Sequence, residues 1–149
     1  MVGFDRLFGF MAALCCGLFA GAALYVNLVE HPARMECGTE LAATEFAPSY
    51  RRATVLQVSL ALIGALCGTL AWLQDRSLSW LIASALLLSV IPFTLFFMLP
   101  TNKQLLDPSL DRRSGKAHLL LTRWGRLHAV RTVVSLAALV LFLVLLVKR

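Results

Sequence analysis

"WLIASALLLSVIPFTLFFML", residues 80–99, is a run of twenty residues without one charged side chain. A helix crosses the hydrocarbon core of a bilayer in about 20 residues, so this stretch predicts a membrane-spanning helix. Three more runs pass the same test, at 7–29, 54–73 and 130–147. The composition agrees. Hydrophobic residues make up 59% of the chain, charged residues 15%, and the mean hydropathy is +0.78. An ordinary soluble domain carries about 25% charged residues. The 149 residues are therefore expected to form one all-α domain, an integral membrane four-helix bundle.

The first run passes through "AGAA" (20–23), which resembles a leader-peptide cleavage site. Asp5 beside Arg6 is not a basic leader, however, and the run is long for a leader's apolar core, so it reads as a span. The short "QDRSLS" (74–79) makes the second and third spans antiparallel neighbours. Four spans then put both termini and this turn on one membrane side, and two longer loops, 30–53 and 100–129, on the other. Arg6, Arg76, Lys148 and Arg149 fall on the terminal side, and the remaining ten of fourteen Lys and Arg fall on the loop side. Positive residues favour the cytoplasmic face, which predicts a multi-pass protein with cytoplasmic loops. The same placement explains the net charge of +6. The basic residues flank apolar runs and form no stripe of their own, so the expected partner is a lipid bilayer and not nucleic acid.

The four cysteines contain no C-x-x-C pair, and Cys15, Cys16 and Cys67 sit inside apolar runs, as small buried side chains do. Glycines at 17 and 21, and at 64 and 68, have the spacing that lets membrane helices approach closely, and predict contact between the first two spans. Without an internal repeat or a polar row crossing a whole bilayer, a channel or transporter is disfavoured. Nothing in the sequence sets an oligomeric state.

Polar side chains gather at one end of the spans. Positions i, i+3, i+4 and i+7 share a helix face. Asn27, Glu30, His31 and Arg34 have that spacing where the first span ends, with Pro32 expected to kink or end the helix. Tyr50, Thr54 and Gln57 have it where the second begins. Thr94, Met98, Thr101 and Asn102 follow it through the end of the third, flanked by Pro92 and Pro100, and Trp124, His128 and Arg131 lead into the fourth. Topology brings all four rows to the loop side. Polar groups at membrane depth are costly and face a bundle interior, so the rows predict a pocket there. Two His-x-x-Arg pairs, His31 with Arg34 and His128 with Arg131, face each other across it. Arg51, Arg52, Arg123 and Arg126 read instead as side chains reaching toward lipid phosphates, and His118 as a solvated loop residue.

Three blocks, "EHPARM" from Glu30, "PFTLFFMLPTNKQL" from Pro92 and "WGRLHAVRT" from Trp124, make the chain resemble the anthrone oxygenase-like family of small four-helix membrane proteins. The resemblance runs over nearly the whole chain, including span number and loop lengths. It implies a monooxygenase that converts an anthrone, a lipophilic polycyclic phenol, to an anthraquinone.

The residues suit such a reaction. The central methylene of an anthrone is acidic, and its enolate is electron-rich enough to reduce O2, so O2 is the only co-substrate required. His128 or His31 would act as base. Arg131 and Arg34 would stabilise enolate and peroxide anions in a pocket of low dielectric. Trp124 offers a flat face to an aromatic or quinol-like substrate. Asn102 would hydrogen-bond its oxygen, and Tyr50, Gln57 and Asn27 would complete the wall. Two readings stand beside this one. Glu30, His31 and His128 would hold a transition metal if they converged, although the arginines would repel it. Alternatively, the polar rows simply hold together a membrane scaffold or small-molecule binding protein, with Glu30 neutralising Arg34 or Arg131.

Overall fold

The computed structural model describes residues 4–148, and among them there is no strand. Four long helical rods follow one another up and down. We label them α1 (Phe4–Tyr25, then Val26–Glu30 and His31–Glu36), α2 (Thr39–Asp75), α3 (Leu78–Leu88, then Val90–Phe93, Thr94–Met98 and Leu99–Leu105) and α4 (Gly115–Val147). All four are long and apolar enough to cross a membrane. Large apolar side chains cover the outside, Phe96, Leu66 and Val55 among them, as expected of a surface that meets lipid. Arg149, counted above on the terminal side, lies outside the described residues.

The rods close into a ring in which α1 packs on α2 and α4, and α3 packs on the same two. Small residues permit the close approach: Ala12, Ala20, Ala23, Ala61, Ala71, Ala83 and Ala138 are fully buried. Gly64 and Gly68 belong to this set. A Cβ on Gly64 would meet Cys15 of α1 at 3.2 Å and Leu87 of α3 at 2.9 Å, and one on Gly68 would run into Ser84 and Phe142. The first glycine pair behaves otherwise. Gly17 has only Leu139 of α4 near it and Gly21 has nothing, so the tight α1–α2 contact is made from α2 alone.

The helices run well beyond the apolar runs. With 37 residues at about 1.5 Å each, α2 far exceeds the about 30 Å of a hydrocarbon core. Most of 30–53 and 100–129 is therefore helical, and the true connections on that side are Cys37–Gly38 and residues 106–114. The first is a two-residue hairpin that only glycine accommodates easily, since Gly38 sits at φ +99°. At the other end, Trp80 Nε1 donates to Asp75 Oδ2 at 2.6 Å and pins the turn between α2 and α3.

Neither Pro32 nor Pro100 ends its helix. Each follows a π-helical stretch, Val26–Glu30 and Thr94–Met98, at the same offset. The His31 amide reaches back to the Val26 carbonyl and the Leu99 amide to that of Thr94. A proline has no N–H to donate and its ring crowds the carbonyl four residues back, so the preceding turn widens and the helix then continues.

Two apolar clusters fill the bundle. One, toward the termini, centres on Phe19, Trp80, Leu87 and Phe142, and the other, toward the long connections, on Phe46, Met98, Leu121 and Trp124.

Candidate functional site

Between the clusters lies a cavity of about 140 Å³. All four helices line it: Glu30 and Arg34 from α1, Phe46, Tyr50, Thr54 and Gln57 from α2, Thr94, Met98 and Asn102 from α3, and Trp124, His128 and Arg131 from α4. The four polar rows of the sequence thus meet in one place. Both widened turns border it, through Val26 and Glu30 on one side and Thr94, Leu95 and Met98 on the other. Two residues beyond its proline, each helix delivers a buried polar side chain to the wall, Arg34 from α1 and Asn102 from α3.

His128 is 2% exposed and its protons can be assigned from its neighbours. Asn27 Nδ2 donates to the Gly125 carbonyl at 3.3 Å, and a carbonyl can only accept, so the amide orientation is fixed. Asn27 Oδ1 then faces His128 Nδ1 at 2.6 Å and must accept its N–H. Thr132 Oγ1 donates to the same oxygen at 2.6 Å. In neutral His128 the lone pair therefore resides on Nε2, and the ring borders the cavity. Asn27, expected as a substrate contact, is turned toward α4 and does not line the cavity.

His31 is placed differently. Its Nδ1 accepts Arg34 Nε–H at 3.2 Å. The ring fills a notch above Gly125, where a Cβ would fall 2.5 Å from Nε2. Its Nδ1 is engaged and the residue is not part of the cavity wall. Trp124 stands between the histidines, with ring centroids 5.3 Å from His31 and 4.8 Å from His128, and Phe46 meets it edge-on at 5.5 Å.

The two arginines differ in their compensation. Arg34, 6% exposed, bonds Glu45 Oε2 at 2.8 Å, lies 3.6 Å from Glu30 Oε1, and stacks over Trp124 at 5.0 Å. Ser49 Oγ donates to the same Glu30 oxygen at 3.2 Å, closing the α1–α2 side of the cavity. Arg131 has no carboxylate partner among the described residues. Its Nη2 donates to Gln57 Oε1 at 2.7 Å and its guanidinium lies 5.5 Å from the centre of the Phe19 ring. A charge paired with an amide alone remains available to a second anion.

Several buried polar atoms find no partner within the protein: Arg34 Nη2, both side-chain amide atoms of Asn102, Trp124 Nε1, Arg131 Nε and Thr101 Oγ1. All but Thr101 belong to residues lining the cavity. Buried polar groups are rarely left unbonded, so a wall with this many free N–H groups is complementary to an oxygen-bearing ligand.

Glu30, His31 and His128 do not gather as metal ligands, and among the described residues no three His, Cys, Asp or Glu side chains do. Glu30 and His128 line the cavity, whereas His31 lies outside its wall above Gly125, bound to Arg34. Cys15, Cys16, Cys37 and Cys67 are all free thiols. Exposed Arg51, Arg52, Arg123 and Arg126 stay on the surface, and His118 pairs with Thr39 Oγ1 at 3.3 Å there. Glu45, Phe46, Ser49 and Thr132 also belong to the site and were not singled out from the sequence. Phe46 extends the i, i+4 row of Tyr50 and Thr54, Ser49 follows Glu45 by the same step and Thr132 follows His128 by it, but no apolar run marks the first three as part of a span.

The family model described as anthrone oxygenase matches residues 46–141, which take in Phe46, Asn102, Trp124, His128 and Arg131. The chain belongs to the anthrone oxygenase family. A curated anthrone oxygenase from Claviceps purpurea (strain 20.1) is 26% identical over 146 residues, covering 88% of this chain and 84% of its own. No solved structure matches. Of the three blocks that carried the resemblance, the second and third fall inside the family match, while Glu30–Met35 precedes it.

Proposed function

We propose that the protein is a membrane oxygenase that turns a lipophilic hydroxyaromatic of the anthrone type into the corresponding quinone, with O2 as its only co-substrate. The observation that carries this is His128, whose Nε2 lone pair is aimed by Asn27 at a cavity rich in unpaired N–H groups. His128 Nε2 removes one proton from the acidic ring methylene. Asn102, Trp124 Nε1 and Arg131 take up the enolate oxygen. The enolate gives one electron to O2, and the radical pair joins in a carbon–oxygen bond. The resulting peroxide is protonated by His128 and loses the second methylene proton as its O–O bond breaks. One oxygen atom stays as the ketone and the other leaves as water, so four electrons pass from the methylene carbon to O2. Arg131, without a carboxylate of its own, stabilises the peroxide anion. His31 supports Arg34 and takes no proton.

We also assign the connections at this end of the bundle to the cytoplasmic side. With Arg34 and Arg131 turned inward, Arg51, Arg52, Lys103, Arg112, Arg113, Lys116, Arg123 and Arg126 are still exposed at that end.

The test is O2 uptake and quinone formation by the protein in lipid vesicles supplied with 1,8-dihydroxyanthrone, against protein-free vesicles. One quinone should form per O2, a chelator should leave the rate unchanged, and His128→Ala should lower kcat by about 10²-fold or more. A His128→Ala protein as fast as wild type would refute the assignment of the base. Loss of activity on chelation would move the reaction to a metal.

A further inference from the structure

The cavity is not closed on every side. On the α1 and α4 walls its lining is buried or half-buried, but Thr54 and Val58 of α2 and Leu95 of α3 line it and are exposed. The cause is a divergence of two helices. α2 packs closely on Leu78–Leu88 of α3 and hardly touches the rest of that helix, so a gap opens between them beside the cavity. The gap lies within the apolar runs. Exposed Arg51 and Arg52 sit about one turn nearer the connections, at the level where arginines reach lipid phosphates. The polar end of the cavity faces the other way, where Arg34 binds Glu45 and Ser49 binds Glu30 across α1 and α2.

Size gives a second argument. At about 140 Å³ the cavity resembles the engineered protein cavity of about 150 Å³ that accepts benzene. One ring fits inside. The remainder of a polycyclic molecule has to lie in the gap, against apolar side chains and acyl chains.

The geometry points to sideways loading from the bilayer: a planar hydroxyaromatic dissolved in lipid passes between α2 and α3 and seats one oxygen-bearing ring against Asn102, Trp124 and Arg131. Its other rings stay among Val58, Ile91 and Leu95. The chemical class of the ligand rests on the oxygenase reading, whereas the route rests on the divergence of the helices alone.

Binding tests the route without turnover. The full-length protein in phosphatidylcholine vesicles is mixed with vesicles preloaded with 1,8-dihydroxyanthraquinone, and quenching of tryptophan fluorescence gives the rate and affinity of uptake. Thr54→Phe with Val58→Phe fills the gap, and should slow uptake and weaken binding at least tenfold. Val55→Phe adds the bulk of Val58→Phe at a lipid-facing position, 70% exposed, that does not line the cavity, and should leave both within twofold of wild type. If the double variant melts early, Val58→Phe alone, at a side chain already 37% exposed, gives the same reading. Uptake by the filled variants equal to wild type, or an equal loss in Val55→Phe, overturns the route. An inactive protein that still binds through the gap would refute the oxygenase reading and leave the route standing.

Discussion

Asn27 Oδ1 lies 2.6 Å from His128 Nδ1, and the two residues are brought together from α1 and α4 across 101 positions of sequence. The contact selects one tautomer of the imidazole. Replacing Asn27 with Ala frees the ring to hold its proton on Nε2, where a base needs a lone pair. We expect Asn27→Ala to lower kcat by about 10²-fold with little change in KM, because the residue does not touch substrate. Asn27→Asp keeps an acceptor facing Nδ1 and should recover part of the rate. Steady-state kinetics of the two variants side by side decide this. Equal losses in both would make the contact purely structural.

Gly125 is the floor of the notch that holds His31. A methyl group there has to displace the ring, and with it the acceptor for Arg34 Nε. Gly125→Ala should destabilise the protein by about 1–3 kcal/mol, the usual cost of overpacking. Removing the ring removes the clash, so Gly125→Ala added to His31→Ala should cost far less than it does alone. Thermal unfolding of the four proteins in detergent completes the cycle, and simple additivity would contradict the packing described.

Arg131 is the charge in the site without a carboxylate, and its partner is the Gln57 amide. Arg131→Gln should reduce kcat by about 10²-fold through loss of stabilisation of the oxyanion. Arg131→Lys retains the charge without the planar fork and should fall between the two. Gln57→Leu leaves Arg131 Nη2 unpaired, and should raise KM more than it lowers kcat. A kcat for Arg131→Gln within twofold of wild type would remove this residue from the chemistry.

Far from the cavity, the connection between α3 and α4 carries its own titration. The Ser109 backbone N–H, and then its hydroxyl, hold the Asp107 carboxyl below its ordinary value, at distances of 2.9 and 2.8 Å. A depressed carboxylate contributes to folding above its ordinary value, and the contribution disappears as pH falls through the depressed one. Ser109→Ala removes the hydroxyl and keeps the backbone N–H, and should move the midpoint of Asp107 part of the way upward in an NMR titration. Activity at neutral pH should be unaffected, and an unmoved midpoint would show that the Ser109 hydroxyl does not hold the carboxylate.

The number of helices, their order and the end of the bundle holding the polar side chains were legible because each depends on apolar length and on a 3.6-residue period. His128, Trp124 and Arg131 share a face in the sequence and share a wall in the fold. The separation of the two histidines was not legible. His31-x-x-Arg34 and His128-x-x-Arg131 are identical as strings, yet one ring is held against the α4 backbone and the other borders the cavity, a difference made by Gly125 and Asn27 on other turns. Glu45 and Phe46 were hidden because α2 starts fifteen residues before its apolar run, where hydropathy reports only polarity. The two widened turns leave the hydropathy pattern unchanged.

Those widened turns have a consequence for how this chain tolerates change in length. Each stores one residue more than a regular helix needs over the same rise. Deleting Leu28, a lipid-facing side chain 69% exposed, removes no contact of the site. It would let the turn revert to regular winding, the His31 amide then reaching the Val26 carbonyl as an ordinary bond across four residues, so that Arg34 keeps its place on the cavity wall. In a regular turn of the same helix a deletion would rotate everything beyond it by about 100°, whereas at Leu28 it should be tolerated. The widened turn is a place where the chain can change length by one residue without changing phase.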